Sequence, residues 1–180
     1  MGSRGNTAMH QRSNGFTLIE LMIVIAIVAV IASYGIPRFN SMMQNGRLST
    51  QVNELHGLMQ LARSEAVTNR VITLICGSTD QATCDTNSWE QGVMVFRDRD
   101  GNGSASAAEL VRVMPAVTNG NTIRGANGAI SFQTDGTLVG GAMLRICDDR
   151  AEPSSRQVRL NTAGQSRISK GNAQGDVVCP

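Results

Sequence analysis

The sequence predicts an α+β protein in which one long N-terminal helix carries an antiparallel β body. Three observations lead there. Every residue from Leu21 to Ala32 is apolar, and no charge interrupts the chain between Glu20 and Arg38. Beyond Pro37 the apolar residues recur at three and four: Leu48, Val52, Leu55, Leu58, Met59, Ala62 and Ala66. The remainder is short β-branched runs separated by Gly-containing turns.

The apolar run reads as a membrane span. As α-helix, Phe16 to Ile36 measures about 31 Å, the thickness of a bilayer's hydrocarbon core. Residues 1–14 are polar and carry Arg4 and Arg12 but no acid, which places this leader on the cytoplasmic side. A secretory signal peptide competes with a span, but no clear small-x-small cleavage site ends the run. Pro37 removes a helical donor and is expected to bend or break the helix near Ser33–Ile36. The three-and-four spacing after it is that of an amphipathic helix with one buried stripe. Phe16–Asn69 is therefore expected to be one long, kinked helix.

Strands are expected at Val71–Cys76, Gly92–Arg97, Glu109–Met114, Ile130–Thr134, Thr137–Val139, Met143–Cys147, Gln157–Asn161 and Arg167–Ser169. The strongest hairpin signal is Asp135-Gly136, read as a two-residue turn between "ISFQT" and "TLV".

Composition excludes several functions. A net charge of +2 is too small to imply a nucleic-acid or acidic-membrane partner by itself. Without Arg4 and Arg12 the basic residues equal the 14 acidic ones. The cysteines Cys76, Cys84, Cys147 and Cys179 form no C-x-x-C pair and His is nearly absent, so no zinc site is expected. An even cysteine count behind an export-type segment reads as two disulfides. Three pairings are open; Cys76–Cys84 with Cys147–Cys179 closes the shortest loops and is the expected one. The chain-entropy model gives such bridges about 2.5 and about 3.7 kcal/mol as upper values. No nucleophile stands beside a base, His56 has no catalytic partner in sight, and no enzyme or cofactor is expected. Trp89 is expected to anchor a loop onto the body.

One motif identifies a family. "GFTLIEL", Gly15 to Leu21, resembles the type III signal of type IV pilins and type II secretion pseudopilins. "LARSEA" (61–66) and "WEQGVMVFRDRDGNG" (89–103) resemble the GspH/FimT branch, nearest the FimU/FimT-type minor pilins. The resemblance implies a type IV pilin-like fold and division into a leader over 1–15, a membrane half-helix over 16–37 and a periplasmic domain over 38–180. A prepilin peptidase would cut after Gly15, and Phe16 would become the N-methylated terminus. Glu20 would pair with the terminal amine of a neighbouring subunit during assembly. On translocon-type scales a helix-centre carboxylate costs roughly 2.5–3.5 kcal/mol to insert, so an acid kept in such a run is expected to be paired or functional. The implied protein is a minor pilin that primes a type IV pilus, with the major pilin, other minor pilins, the peptidase and the inner membrane as partners. The alternatives are a type II secretion pseudopilin and a DNA-binding pilin of natural transformation.

Two further stretches carry candidate chemistry. "DRDGNGSASAAE" matches a calcium-loop pattern through Asp98, Asp100, Asn102, Gly103 and Glu109, with Ser104 and Ser106 at intermediate positions. Its flanks read as strands rather than helices, which favours a metal-free turn. Arg159, Arg167 and Lys170 make the C-terminal segment basic and are candidate DNA contacts. Where FimT-type pilins have G-R-x-R, this chain has "GQSR", so Gln165 replaces one arginine.

Overall fold

The computed structural model describes residues 15–85, 89–150, 154–171 and 179. The expected leader, apart from Gly15, lies outside them. The helix α1 runs from Leu18 to Asn69, and Pro37 lies inside it without ending it. Two compact units divide within this helix, one closing at Ser41 and the other opening at Met42.

In the first unit the helix is apolar on every side and uncovered. Leu18, Ile19, Leu21, Val28, Val30 and Ile31 are all more than half exposed. Among the described residues, α1 is the one helix long and apolar enough to cross a membrane.

The second unit holds the rest of α1 and two four-stranded antiparallel sheets. Its strands are β1 (Thr73–Gly77), β2 (Gly92–Arg97), β3 (Leu110–Pro115), β4 (Thr122–Gly125), β5 (Ile130–Phe132), β6 (Ala142–Cys147), β7 (Arg156–Leu160) and β8 (Ser166–Lys170). One sheet has the order β3-β2-β1-β5, the other β4-β6-β7-β8. The result is the type IV pilin-like α+β fold, a long N-terminal helix against antiparallel sheet.

The core follows from the two periodicities. Leu48, Val52, Leu55, Leu58, Met59, Ala62 and Ala66 form the buried face of α1 and join inward residues of both sheets in one cluster. Each fully buried Leu or Val of this kind contributes about 1.5–3 kcal/mol. From Val93 to Phe96 β2 is apolar throughout because both its faces are covered. Val93 and Val95 join the helix-side cluster, while Met94 and Phe96 pack with Cys76 on the opposite face. Cys84, Ala105 and Leu110 close over that second cluster. The Cys76–Cys84 bridge, at 2.00 Å, pins the covering loop, and Cys147–Cys179, at 2.01 Å, ties position 179 to the end of β6. Trp89 is buried, and its Nε1 donates to the Ala126 carbonyl at 2.9 Å.

Arg145 is fully buried on β6. Its Nη2 donates to Gln157 Oε1 at 3.0 Å, and Gln157 Nε2 donates to Ser169 Oγ at 2.9 Å, so a polar relay crosses β6, β7 and β8 in register. A buried guanidinium is tolerated where its donors find acceptors.

Three expectations differ from the structure. Thr137–Val139 is not a strand: Leu138 makes a single bridge to Phe132, and Val139 is 88% exposed. The turn before it has three residues rather than two. Gln133 N–H donates to Thr137 O and Gly136 N–H to Gln133 O, with Gly136 at φ 81°, the pattern of a type I turn followed by a left-handed residue. The strand β4 was not expected, because "TIRG" is too short to show alternation.

The β7–β8 connection repeats the same turn. Asn161 N–H donates to Gln165 O, Gly164 N–H donates to Asn161 O, and Gly164 sits at φ 71°. The two turns meet. A Cβ on Gly164 would lie 1.9 Å from the Gly136 carbonyl oxygen, and that oxygen also accepts from Arg63 Nε of α1 at 3.2 Å. Leu138 N–H donates to Thr162 O beside them. This contact joins a turn from each sheet to the helix. Gly164→Ala is expected to destabilise a body beginning at Met42 by at least ~2 kcal/mol in urea unfolding, because it adds a backbone clash to a left-handed conformation. Gly103→Ala, at φ 71° with no atom within 4 Å of the added Cβ, should cost only about 1 kcal/mol.

Candidate functional site: the helix start and two loops of the body

Gly15, Phe16 and Thr17 precede the helix, and Phe16 is 83% exposed. Thr17 caps α1, since its Oγ1 accepts the backbone N–H of Glu20 at 3.3 Å. "TLIE" therefore has the Thr-x-x-Glu spacing of a capping box, with Glu20 at the third helical position. This changes the electrostatics expected of Glu20. It stands in the first turn, where unpaired backbone N–H groups present partial positive charge that favours a carboxylate. The capping signal was legible in the sequence and was hidden there by the stronger apolar pattern.

The calcium-pattern loop joins β2 to β3, so strands flank it on both sides. Asp98, Asp100 and Glu109 each place a carboxylate oxygen within 4.8 Å of the others. Those oxygens serve the loop itself. Glu109 Oε2 accepts from the Ser106 hydroxyl at 2.6 Å, and Oε1 accepts from Arg99 N–H at 2.9 Å. Asp98 accepts from Gly103 N–H at 3.2 Å and Asp100 from Asn102 Nδ2 at 2.6 Å. Glu109 is only 5% exposed and works as the loop's anchor.

The basic candidates separate. Arg159 and Arg167 face each other in the β7–β8 register, whereas Lys170 lies opposite Arg156 at the other end of β8. Arg159, Arg167 and Arg63 of α1 line a groove of about 590 Å³ along the β8 edge, with Gln60, Ser166 and Ser169. Lys170 is not among its lining residues. Gln60 reaches the groove by donating to Ser166 Oγ at 3.2 Å, and His56 Nε2 lies 3.4 Å from Ser166 O. Gln165 turns inward to the turn: its N–H donates to Asn161 Oδ1 at 2.9 Å, and its Oε1 accepts from Asn161 Nδ2 at 3.2 Å. Sequence reasoning missed Arg63 and Gln60. Their three-residue spacing on the rim of the helical stripe was the available signal.

A model for a prokaryotic N-terminal methylation motif matches residues 10–35, and a family model described as type II transport protein GspH matches residues 51–164. The chain belongs to the GspH family. It is thereby a member of the type IV pilin and pseudopilin superfamily, whose proteins build filaments and are not enzymes. A fimbrial protein of Pseudomonas aeruginosa is 28% identical over 130 residues, which cover 68% of this chain and 80% of that protein. A type IV major fimbrial protein FimA of Dichelobacter nodosus is 42% identical over 50 residues, 28% of this chain and 31% of that one. The crystal structure of the type IV minor pilin FimU of Pseudomonas aeruginosa is similar with a TM-score of 0.55, at 22% identity, covering 71% of this chain and 92% of that one. The minor pseudopilin EpsH from the type 2 secretion system of Vibrio cholerae gives a TM-score of 0.51 at 11% identity, over 69% and 97% of the two chains. At these identities the likeness shows the fold. The apolar N-terminal helix of this GspH-family chain is of the signal-anchor kind typical of prepilins.

Three carboxyl groups of the body are held below their ordinary range. For Glu109 the main cause is the Ser106 hydroxyl, then Arg99 N–H; for Asp135 it is the hydroxyl and N–H of Thr137. Asp80 is lowered chiefly by the N–H groups of Thr83 and Ala82. Folded-state values below the unfolded ones mean that these groups stabilise the body above the ordinary carboxylate range. That stability is lost as pH falls through the folded values. The thermal midpoint of the body, measured from pH 7 downward, is expected to fall in the acid range. Glu109→Gln should lower the midpoint at neutral pH and flatten its pH dependence.

Proposed function

We propose that this GspH-family chain is a minor pilin, nearest the FimU type, that primes or joins a type IV pilus at low abundance. The observation that carries this is the N-terminus: a methylation motif over 10–35 leads into an uncovered apolar helix whose first turn holds Glu20. In this reading residues 1–15 are a cytoplasmic leader, and prepilin peptidase cuts between Gly15 and Phe16. Residues 16–37 hold the subunit in the inner membrane, and residues 38–180 form a body in the periplasm. Methylated Phe16 of a neighbouring subunit then neutralises Glu20. A register that leaves a carboxylate unpaired in hydrocarbon is disfavoured, so the pair selects the docking position. The partners are the major pilin and other minor pilins. The likeness to FimU supports a pilus; a pseudopilus is the neighbouring alternative within the same superfamily.

Glu20→Ala and Glu20→Leu chains are expected to insert and be processed normally, yet to be lost from sheared filaments on immunoblotting. Normal incorporation of either variant would end the pairing role. Gly15→Val should leave the unprocessed precursor in the membrane.

The groove at the β8 edge supports a second reading, in which the body also engages DNA. Like charges directly opposite on a sheet are unfavourable, and a phosphate between Arg159 and Arg167, with Arg63 beside them, would relieve this. In gel shifts over a salt series, a body with Arg159, Arg167 and Lys170 all changed to Ala should bind DNA more weakly, with a shallower salt slope by about two phosphate contacts. Arg159 and Arg167 should carry most of the loss. Unchanged affinity in the triple variant would remove this reading.

A further inference from the structure

The loop between β2 and β3 has a chemistry that neither the calcium pattern nor filament assembly uses. Asn102 is followed by Gly103 and Ser104, giving Asn-x-Ser with x other than proline, the acceptor pattern for N-linked glycan. No other asparagine in the chain stands in an Asn-x-Ser/Thr triplet. Asp100 extends the pattern to Asp-x-Asn-x-Ser. That sets a carboxylate two residues ahead of the acceptor, where it can pair with a cationic side chain of a transferase.

The fold presents this stretch openly. Residues 99–104 are all exposed. A Cβ built at Gly101 or Gly103 meets no atom within 4 Å, so the tip has free space on both sides of the acceptor. Both glycines have left-handed φ, 74° and 71°, which keeps the tip in a tight turn. The base of the loop is held: Asp98 N–H donates to Ile72 O at 2.8 Å, Glu109 is buried, and Ala105 packs on the Cys76, Met94 and Phe96 cluster. The acceptor amide is aligned within the tip. Asn102 Oδ1 accepts Ser104 N–H at 2.6 Å, while Asn102 Nδ2 donates to Asp100 Oδ2 at 2.6 Å.

We propose that Asn102 is an N-glycosylation acceptor, taking an oligosaccharide from a lipid-linked sugar diphosphate through a periplasmic oligosaccharyltransferase. The Nδ2 nitrogen forms a bond to the anomeric carbon, and the bond from that carbon to the diphosphate oxygen breaks. The lipid diphosphate leaves with the electron pair, and one Nδ2 proton passes to a base of the transferase. The proposal rests on the exported placement of the body in the proposed function, an oxidising setting that suits its two disulfides.

The test is expression of the full chain in cells that carry a bacterial oligosaccharyltransferase and its lipid-linked glycan, with a control sequon protein confirmed as glycosylated. Intact mass is read on the fraction bearing both disulfides, so failure of export and failure of acceptance are separated. The expected result is a glycan mass increment on the tryptic peptide 100–112, absent with an inactive transferase. The increment should be lost in Asn102→Gln and in Ser104→Ala, which share the exposed tip and should retain both disulfides. Asp100→Ala should lose most of it. An unmodified, doubly oxidised chain beside a glycosylated control would overturn the proposal, as would an increment that persists in Asn102→Gln.

Discussion

Burial of one face of α1, from Leu48 to Ala66, is the constraint on which the body depends. That face supplies the floor for both sheets: Ile75, Val93 and Val95 from one, Leu144, Ile146, Val158 and Leu160 from the other, all join the cluster around it. Two four-stranded sheets with no strand in common need a shared surface, and the helix provides it. Polar side chains at its margin fix the fit. Gln51 accepts from Asn121 at 2.6 Å in a buried pair, and Arg63 reaches the carbonyl of Gly136.

The first part of the same helix carries an exposed apolar surface. Among the described residues up to Ser41, its large apolar side chains are exposed. Lipid, or the helices of neighbouring subunits, is the environment in which such a surface is stable. Glu20 stands at the start of it, capped by Thr17 and placed where the helix end favours negative charge. The proposed pairing of Glu20 would thus use a position that local helix physics already suits for a carboxylate.

The loops of the body divide into anchored and presented parts. Between β2 and β3, Glu109 and Ala105 hold the base while Asp100 to Ser104 stand in solvent. At the β8 edge the turn is locked by Gly136 and Gly164, and the arginines project beside it. In both places a rigid base allows side chains to be displayed without straining the core.

Local patterns in the sequence settled a great deal. The length of the helix to Asn69, its buried stripe, β2 from Gly92 to Arg97, the place of the Asp135-Gly136 turn though not its three-residue form, and the family motif were all legible, because each depends on neighbours within a few residues. The Thr17 cap was equally local. What required the tertiary structure was everything that depends on distant residues meeting. β4 is too short to announce itself and exists because β6 pairs with it. Thr137–Val139 has strand-like residues, yet Leu138 alone of the three makes a β-bridge, to Phe132. Three cysteine pairings were open until the chain brought Cys76 to Cys84 and Cys147 to Cys179. Arg63 joined Arg159 and Arg167, and Lys170 left them, through strand register and the angle of a helix edge. Periodicity determines which face of an element is apolar; only packing decides which faces, and which charges, come together.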